Sequence, residues 1–216
     1  NIPKNVDLAS VRQYFTLGYI PEPNSIFTDI KKVEAGSYLK ISKSGIVQKK
    51  YYELPKTTNP TATVSFEQAA VQVKELFAQS IKDRLVADVP VGAFLSGGLD
   101  SSSIVAIMSK NSKFNINTFT IGFDNKDFDE SELAADVAKK FNTEHHRGTV
   151  LPTSFIDSLN KVSFHYDEPF GDSSAIPTDY VSKYAAQKVK MVLTGDGGDE
   201  ALSGYNSYKG IKISST

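Results

Sequence analysis

The chain has 216 residues, of which 40% are apolar, and this length and composition are typical of a globular protein with one core or one core plus a small appendage. A formal net charge of −1, with both signs mixed along the chain, argues against general affinity for nucleic acid, and no apolar stretch is long enough to cross a membrane. The absence of cysteine excludes disulfides and a cysteine nucleophile and fits a reducing compartment, so we expect a cytoplasmic protein.

The N-terminal part of the chain is predicted to form a small extension. Residues 7–18 predict a short helix, with Asp7 as its N-cap and Gly18 as its end signal. Further along, apolar alternation on both sides of Ser44 and Gly45 predicts a β-hairpin, and the stretch PKTTNPTATV predicts a linker.

We therefore divide the chain into an N-terminal extension and linker over residues 1–60 and a larger domain over residues 61–216. The larger domain is predicted to begin with a helix, because Ser65 and Gln68 stand in the register of a capping box. Apolar residues at helical spacing form one stripe along this helix, namely Phe66, Ala69, Ala70, Val73, Leu76, Phe77 and Ile81.

Four apolar runs alternate with helical patterns in the larger domain. They cover residues 89–95, 117–123 and 189–194, with a weaker run at 143–150. This alternation predicts an α/β fold, a doubly wound parallel sheet with helices on both faces. In the usual order, the second and third strands lie on one side of the first strand and the fourth lies on the other. The topological switch is then expected between the first and fourth strands.

Glycine-rich polar loops follow the first and the fourth strands. They are SGGLDSS (96–102) and TGDGGDE (194–200), and ligands bind at the carboxyl ends of strands beside such a switch. Gly97 and Gly98 allow a ligand to approach the backbone closely, and unpaired amides at the start of the next helix favour an anion. The first loop is therefore predicted to bind phosphate, with serine hydroxyls as further donors.

The carboxylates of the two loops predict a cation. The first loop lacks the lysine of a P-loop and carries Asp100 instead. A carboxylate beside polyphosphate is repulsive unless a cation lies between them, which implies Mg²⁺. The second loop carries Asp196, Asp199 and Glu200, and two acidic loops that face each other are expected to share that ion with the phosphates.

Simpler structural interpretations stay open for several of these residues. Asp196 can stabilise its own turn, and Glu200 can interact with the positive end of a helix. Asp172, Ser173 and Ser174 can cap the helix that follows them. The histidines lack metal-ligand spacing and are predicted to be packing or surface residues, namely His145, His146 and His165.

Six stretches of the chain resemble the synthetase domain of the asparagine synthetase family. In chain order they are GYIPEPNSIF, VPVGAFLSGGLDSS, TFTIGFD, FDESELAADVAKKFNTEHH, DEPFGDSSAIPTDYVS and LTGDGGDEALSGY. Because SGGLDSS resembles the pyrophosphate loop of the N-type ATP pyrophosphatases, the resemblance implies a Rossmann-like fold of the adenine nucleotide alpha-hydrolase type, with a small N-terminal helix and hairpin extension. It also implies that ATP and Mg²⁺ activate the side-chain carboxylate of aspartate as an acyl adenylate, which ammonia converts to asparagine with release of AMP.

The same resemblance assigns roles to positions in this sequence. It implies that Asp100 and Asp199 bind Mg²⁺, and that these two residues and Asp196 form the catalytic set. Asp196 would handle the incoming ammonia or its proton, although the best-known members have glutamate there, whose side chain is one methylene longer. The implied nucleotide-binding positions are Phe94, Ser96, Gly97, Gly98, Asp100, Ser101, Ser102, Ile121, Thr194 and Gly195, with Phe94 and Ile121 beside the adenosine.

The family pattern includes two features that this chain lacks. One is a preceding glutaminase domain, whose N-terminal cysteine releases ammonia from glutamine, and the other is a lysine in a helical region after the second loop. We therefore expect a C-terminally incomplete synthetase domain, part of a larger enzyme, that does not itself hydrolyse glutamine. Its activity in isolation and a homodimeric state are left open. Ser207 stands where the family has an arginine.

Two other functions are left open by the sequence. One is a nucleotide-binding module without turnover, since the lysine region is missing. The other is a paralogue that amidates a different carboxylate or forms a β-lactam, since the tail ALSGYNSY departs from the family pattern at Ser207.

Overall fold

The structure is a computed structural model that describes residues 2–54, 64–126, 129–149 and 154–208. The chain divides into two compact units, the first comprising Asn1–Thr63 with Ile156–Ile176 and the second Val64–Phe155 with Pro177–Thr216. The predicted linker lies almost wholly outside the described residues, and the division into 1–60 and 61–216 stays a prediction. None of the helices in the described ranges combines the length and the apolar character needed to cross a membrane.

The described residues form helices and strands that alternate along most of the chain. In chain order they are α1 (Leu8–Leu17), β1 (Ser37–Ser42), β2 (Gly45–Lys50), α2 (Phe66–Arg84), β3 (Val91–Phe94), α3 (Leu99–Asn111), β4 (Asn117–Gly122), α4 (Ser131–Lys140), β5 (Glu144–Thr149), α5 (Ser154–Tyr166), α6 (Ala175–Ala185), β6 (Met191–Leu193) and α7 (Gly198–Leu202).

The first unit contains the predicted helix and the predicted hairpin. Helix α1 begins where the Asp7 carboxylate accepts a hydrogen bond from the Ala9 N–H (3.0 Å). It ends at Gly18, which has a φ of 78° and whose N–H donates to the Tyr14 carbonyl. Strands β1 and β2 pair antiparallel around the turn at Ser44 and Gly45. The predicted N-terminal helix and the predicted hairpin are both confirmed.

The segment Ile156–Ile176 belongs to the same unit, although no pattern in the sequence predicts this. The Glu168 carboxylate forms an ion pair with Lys32 and accepts a hydrogen bond from the Ile26 N–H (3.2 Å). The Gly171 N–H donates to the Gly18 carbonyl (2.6 Å). These bonds join residues about 140 positions apart in sequence, a separation that periodicity within a short window cannot register.

The second unit is built on a four-stranded parallel sheet in the order β5-β4-β3-β6. This is the predicted order, with the second and third strands of the unit on one side of its first strand and the fourth on the other. The weakly patterned run at 143–150 does form a strand, β5. The carboxyl ends of β3 and β6 therefore lie next to each other, as the predicted topological switch requires.

Apolar residues pack on both faces of this sheet, which confirms the doubly wound α/β fold. One cluster joins the sheet to α2, α3 and α4 and contains Ile81, Ala93, Leu95, Ile104, Val105, Met108, Ile116, Ala134 and Ala138. The other joins it to α6 and contains Phe119, Val181, Ala185 and Val189, with Phe94 packed against it. Ala93 and Phe94 thus point to opposite faces, as successive residues of a strand must.

Helix α2 begins with the predicted capping box, but only part of its apolar stripe is buried. The Ser65 hydroxyl accepts from the Gln68 N–H, and the Gln68 side chain accepts from the Ser65 N–H, both at 3.2 Å. Ile81 is buried in the core, whereas Phe66 is 84% exposed and Leu76 is 71% exposed. Within the second unit, the core is therefore reached only by the C-terminal half of the helix.

The two histidines of β5 are packing residues, as predicted. The His146 ring stacks on Phe119 with a centroid distance of 5.0 Å, and its Nε2 lies 2.8 Å from the Asn117 side-chain oxygen. His145 Nδ1 lies 2.9 Å from the Thr118 hydroxyl. The third histidine, His165, is exposed on α5.

Burial of His145 predicts a pH dependence of stability. Burial lowers the pKa of His145 from its ordinary value of 6.5, and the neighbouring His146 and Arg147 lower it further. The unfolded chain therefore binds this proton more readily, so the free energy of unfolding should fall as the pH drops below about 6.5 and level off below the folded-state pKa. His145→Gln should make this fall smaller in denaturant titrations at several pH values. The exposed His165→Gln is the control, and an unchanged pH dependence in His145→Gln would contradict the prediction.

Candidate functional site

The first predicted loop connects β3 to α3 and is closed by its own serines. The Ser101 hydroxyl lies 3.0 Å from the Ser96 hydroxyl and accepts a hydrogen bond from the Ser96 N–H (3.3 Å). The Gly98 N–H donates to the Ser96 hydroxyl (3.3 Å). The Ser102 hydroxyl is buried and has no hydrogen-bond partner among the described residues. Two serines therefore fix the loop, and the hydroxyl of the third is left unpaired among the described residues.

Gly97 has two structural reasons to be glycine. Its φ of 86° lies in the left-handed region, which side chains disfavour. A Cβ at this position would also lie 2.6 Å from the Leu133 Cβ and 2.9 Å from the Ala134 amide nitrogen. The sequence had assigned this glycine to the approach of a ligand, and the structure adds close packing of the loop against the first turns of α4.

The second predicted loop connects β6 to α7 and carries Asp196 at its exposed turn. The Thr194 hydroxyl donates a hydrogen bond to the Asp196 carboxylate (2.8 Å). Asp196 thus has a partner within its own loop, as expected for a residue that stabilises its turn. The carboxylate also faces solvent at the carboxyl end of the sheet, where a substrate can reach it.

The two loops meet at Asp100. A Cβ on Gly195 would lie 3.1 Å from the Asp100 Cβ and 3.2 Å from the Ser101 amide nitrogen. A Cβ on Gly198 would lie 2.5 Å from Asp100 Oδ2. Both glycines are therefore needed for the loops to approach one another, and the Asp100 carboxylate lies against the residue that precedes Asp199.

The other acids of the second loop contact the chain that follows it. The Asp199 carboxylate lies against Gly204, whose N–H donates to the Asp199 carbonyl (2.9 Å). The Tyr205 hydroxyl donates to the Glu200 carboxylate (2.8 Å). This bond lowers the pKa of Glu200 and raises the pKa of Tyr205 to about 12. Glu200 is therefore engaged with a tyrosine, a contact that the sequence had not indicated.

The acids present fit a magnesium ion that is bound together with phosphates. Among the described residues, no group of three or more acidic or histidine side chains is arranged to hold a metal alone. Mg²⁺ is usually held by one or two carboxylates, with water and phosphate oxygens completing its shell. The Asp100 carboxylate, which lies against Gly198 of the facing loop, meets that smaller requirement, whereas the Asp199 carboxylate lies against Gly204.

A cleft of about 190 Å³ opens beside the first loop, at the carboxyl ends of β3 and β4. It contains three of the predicted nucleotide-binding residues, Phe94, Ser96 and Ile121. The other lining residues are Leu95, Phe119, Thr120, Phe123, Glu130, Pro177, Thr178 and Val181. Its wall is mostly apolar and aromatic, which suits a planar heterocycle.

Sequence reasoning missed Glu130, the one charged residue that the described part of the chain contributes to that lining. It follows β4 by eight residues, whereas the two predicted loops were recognised by polar residues directly after a strand.

Asp172 accepts hydrogen bonds from the Ser174 N–H (2.8 Å) and hydroxyl (2.7 Å) directly before α6 begins. That geometry agrees with the helix-capping interpretation.

Comparison with known proteins identifies the family. Residues 72–215 match the family model described as asparagine synthase. The chain belongs to the asparagine synthase family. The resemblance stated from the sequence motifs is thereby confirmed, and the loops at β3 and β6 both lie within the matched range.

Curated proteins similar to this member of the asparagine synthase family cover nearly all of the chain. It is 39% identical over 96% of its length to a putative glutamine-hydrolysing asparagine synthetase 2 of Methanocaldococcus jannaschii. It is 33% identical over 94% to the glutamine-hydrolysing asparagine synthetase 1 of Bacillus subtilis, and 28% identical over 89% to the amidase chyE of Penicillium rubens. The chain spans 40%, 32% and 31% of these three proteins, respectively.

Among solved structures, the chain is similar to an NH3-dependent NAD synthetase from Campylobacter jejuni. The TM-score is 0.42 at 19% sequence identity, and the match covers 63% of this chain and 60% of the other.

Proposed function

We propose that this chain is the ATP-using part of an amide-forming ligase that converts aspartate to asparagine. The observation that carries the proposal is the meeting of Asp100 with Gly195 and Gly198 beside the apolar cleft. Membership of the asparagine synthase family supports the same reaction. In that reaction, an oxygen of the aspartate side-chain carboxylate attacks the α-phosphorus of ATP, and pyrophosphate leaves. Ammonia then attacks the acyl carbon, AMP leaves, and the nitrogen loses a proton.

The first loop and the cleft would bind the nucleotide. Phe94 and Ile121 would contact the adenine, because they line the apolar cleft next to Ser96. The buried Ser102 hydroxyl and the amides at the start of α3 would donate hydrogen bonds to the phosphates. Such fixed donors stabilise the charge that moves onto pyrophosphate as it leaves.

Asp100 and Asp199 would hold Mg²⁺ together with the phosphates. The ion, when bound, supplies positive charge that offsets the carboxylates and stabilises the departing pyrophosphate. Asp196 would take up the proton lost by the attacking ammonia, with its carboxylate oriented by the Thr194 hydroxyl. A carboxylate acting in this way must lie within hydrogen-bond reach of the nitrogen.

A second candidate is a paralogue that amidates a carboxylate other than that of aspartate. Aspartate at position 196 is one methylene shorter than the glutamate of the best-known family members, and Ser207 stands where they have an arginine. The similarity to an amidase of Penicillium rubens also favours this candidate. Both candidates share ATP-dependent activation of a carboxylate and differ in the acid used.

Exchange of labelled pyrophosphate into ATP by the full-length protein tests the proposal. Exchange that depends on aspartate is the expected result, because adenylation is reversible before ammonia arrives. Exchange only with another acid would support the paralogue. Binding of ATP without exchange for any acid would contradict both and indicate a nucleotide-binding module.

Gly198→Ala should strongly reduce this exchange. The added methyl group would lie 2.5 Å from Asp100 Oδ2 and 2.8 Å from its Cγ, so the carboxylate must move. Misplacement of a catalytic group by about 1 Å can cost roughly 100-fold, and we expect a loss of that order. The matched control is Gly197→Ala, which introduces strain at a φ of 88° but brings the new Cβ within 4 Å of no atom of the described residues. Equal losses in the two variants would show that backbone strain, not displacement of Asp100, is responsible.

A further inference from the structure

Glu130 lies at the N-terminal end of α4 and lines the apolar cleft. The two acids beside it in sequence are already paired with Arg147. Asp129 Oδ2 lies 3.2 Å and Glu132 Oε1 lies 2.7 Å from the Arg147 guanidinium. Arg147 therefore fixes the chain on both sides of Glu130.

Among the described residues, the Glu130 carboxylate itself has no such partner. It makes no capping hydrogen bond to α4, and no ion pair or hydrogen bond of its side chain is found among the described residues. It is the only acid of this cluster that lines the cleft. A ligand in the cleft would therefore meet an exposed carboxylate that is not already engaged.

The same end of α4 also contacts the phosphate-binding loop. Leu133 and Ala134, in the first turn of the helix, pack against Gly97. Glu130 precedes this turn and itself lines the cleft, so one end of α4 contacts both the loop predicted to hold the phosphates and the apolar cleft predicted to hold the base. The part of a nucleotide that joins phosphates to base is the ribose.

The chemistry of the ligand follows from this position. A carboxylate repels phosphate and accepts hydrogen bonds from neutral hydroxyl groups, and a carboxylate bound to ribose hydroxyls is the usual solution in dinucleotide-binding folds. We propose that Glu130 binds the ribose hydroxyls of the nucleotide and makes the site selective for ribonucleotides over 2′-deoxyribonucleotides. This inference rests on the proposed function, because it requires ATP in the cleft.

Nucleotide binding by the full-length protein tests the inference. Dissociation constants for ATP, 2′-deoxyATP and GTP in the presence of Mg²⁺ would be measured by calorimetry for the wild type, Glu130→Gln and Glu130→Ala. The control Asp136→Asn removes a carboxylate from the same helix at a position that does not line the cleft. Circular dichroism would confirm that each variant is folded.

We expect the wild type to bind ATP about tenfold or more tightly than 2′-deoxyATP, because a hydrogen bond to a charged acceptor is lost. Glu130→Ala should bring this ratio close to one, Glu130→Gln should reduce it, and Asp136→Asn should keep it. A ratio unchanged in Glu130→Ala would overturn the inference and leave the proposed function standing. A changed preference for ATP over GTP at a constant ATP to 2′-deoxyATP ratio would also overturn it, since Glu130 would then contact the base. Absence of any nucleotide binding would overturn both.

Discussion

Asp100→Asn is expected to lower aspartate-dependent pyrophosphate exchange by about 100-fold or more while leaving the fold intact. Asparagine keeps the shape that packs against Gly195 and Gly198 but removes the charge that a cation requires. Loss of charge stabilisation where pyrophosphate departs is typically worth about two orders of magnitude. The measurement is the initial exchange rate at saturating ATP, aspartate and Mg²⁺, with thermal unfolding as the check of stability.

The control for this prediction is Asp136→Asn, which removes the same charge from an exposed position on α4. It should exchange at the wild-type rate. Raising the Mg²⁺ concentration should restore part of the activity of Asp100→Asn if the variant is limited by metal affinity. Wild-type exchange in Asp100→Asn would mean that the two loops do not act through this carboxylate.

Phe119→Ala should destabilise the protein severely, lowering the free energy of unfolding by about 3–5 kcal/mol. Phe119 is completely buried on β4, where it packs with α6 and stacks against His146. Its ring also has an edge-on contact with Tyr184, at a centroid distance of 6.3 Å. Removing the ring leaves a cavity on the face of the sheet that borders the cleft. Denaturant titration, monitored by circular dichroism, measures this change in the free energy of unfolding.

Phe114→Ala provides the matched control. This side chain is 84% exposed, so its truncation should change the free energy of unfolding by less than about 0.5 kcal/mol. Comparable losses in the two variants would contradict the assignment of the core to the faces of the sheet.

The sequence was sufficient to predict the sheet order and the place where the loops meet. Strand order followed from alternating apolar runs and the rules for parallel crossovers, and glycines next to acids marked the ends of β3 and β6. The starts of α1 and α2 were also predicted correctly. The side chain of an N-cap residue such as Asp7 or Ser65 accepts a hydrogen bond from an amide only two or three positions away. Local patterns of this kind are visible within a short window.

Contacts between distant residues account for what could not be predicted. Glu168 binds Lys32 and the Ile26 amide, and no periodicity links those positions. The tight packing of Gly97 against Leu133 could not be predicted for the same reason. The sequence explains this glycine only by the close approach of a ligand to the backbone. Glu130 was missed because its importance depends on the cleft that it lines, which only the folded chain defines.

Cation binding tests the central claim, that one ion is shared by the two loops, most directly. Mn²⁺ affinity in the presence of ATP would be measured by electron paramagnetic resonance for the wild type, Asp100→Asn, Asp199→Asn and the double variant. Each single variant should bind Mn²⁺ at least about tenfold more weakly, and the double variant should lose less than the product of the two effects, because both carboxylates act on the same ion. Wild-type affinity in Asp199→Asn, or losses that multiply in the double variant, would contradict the claim.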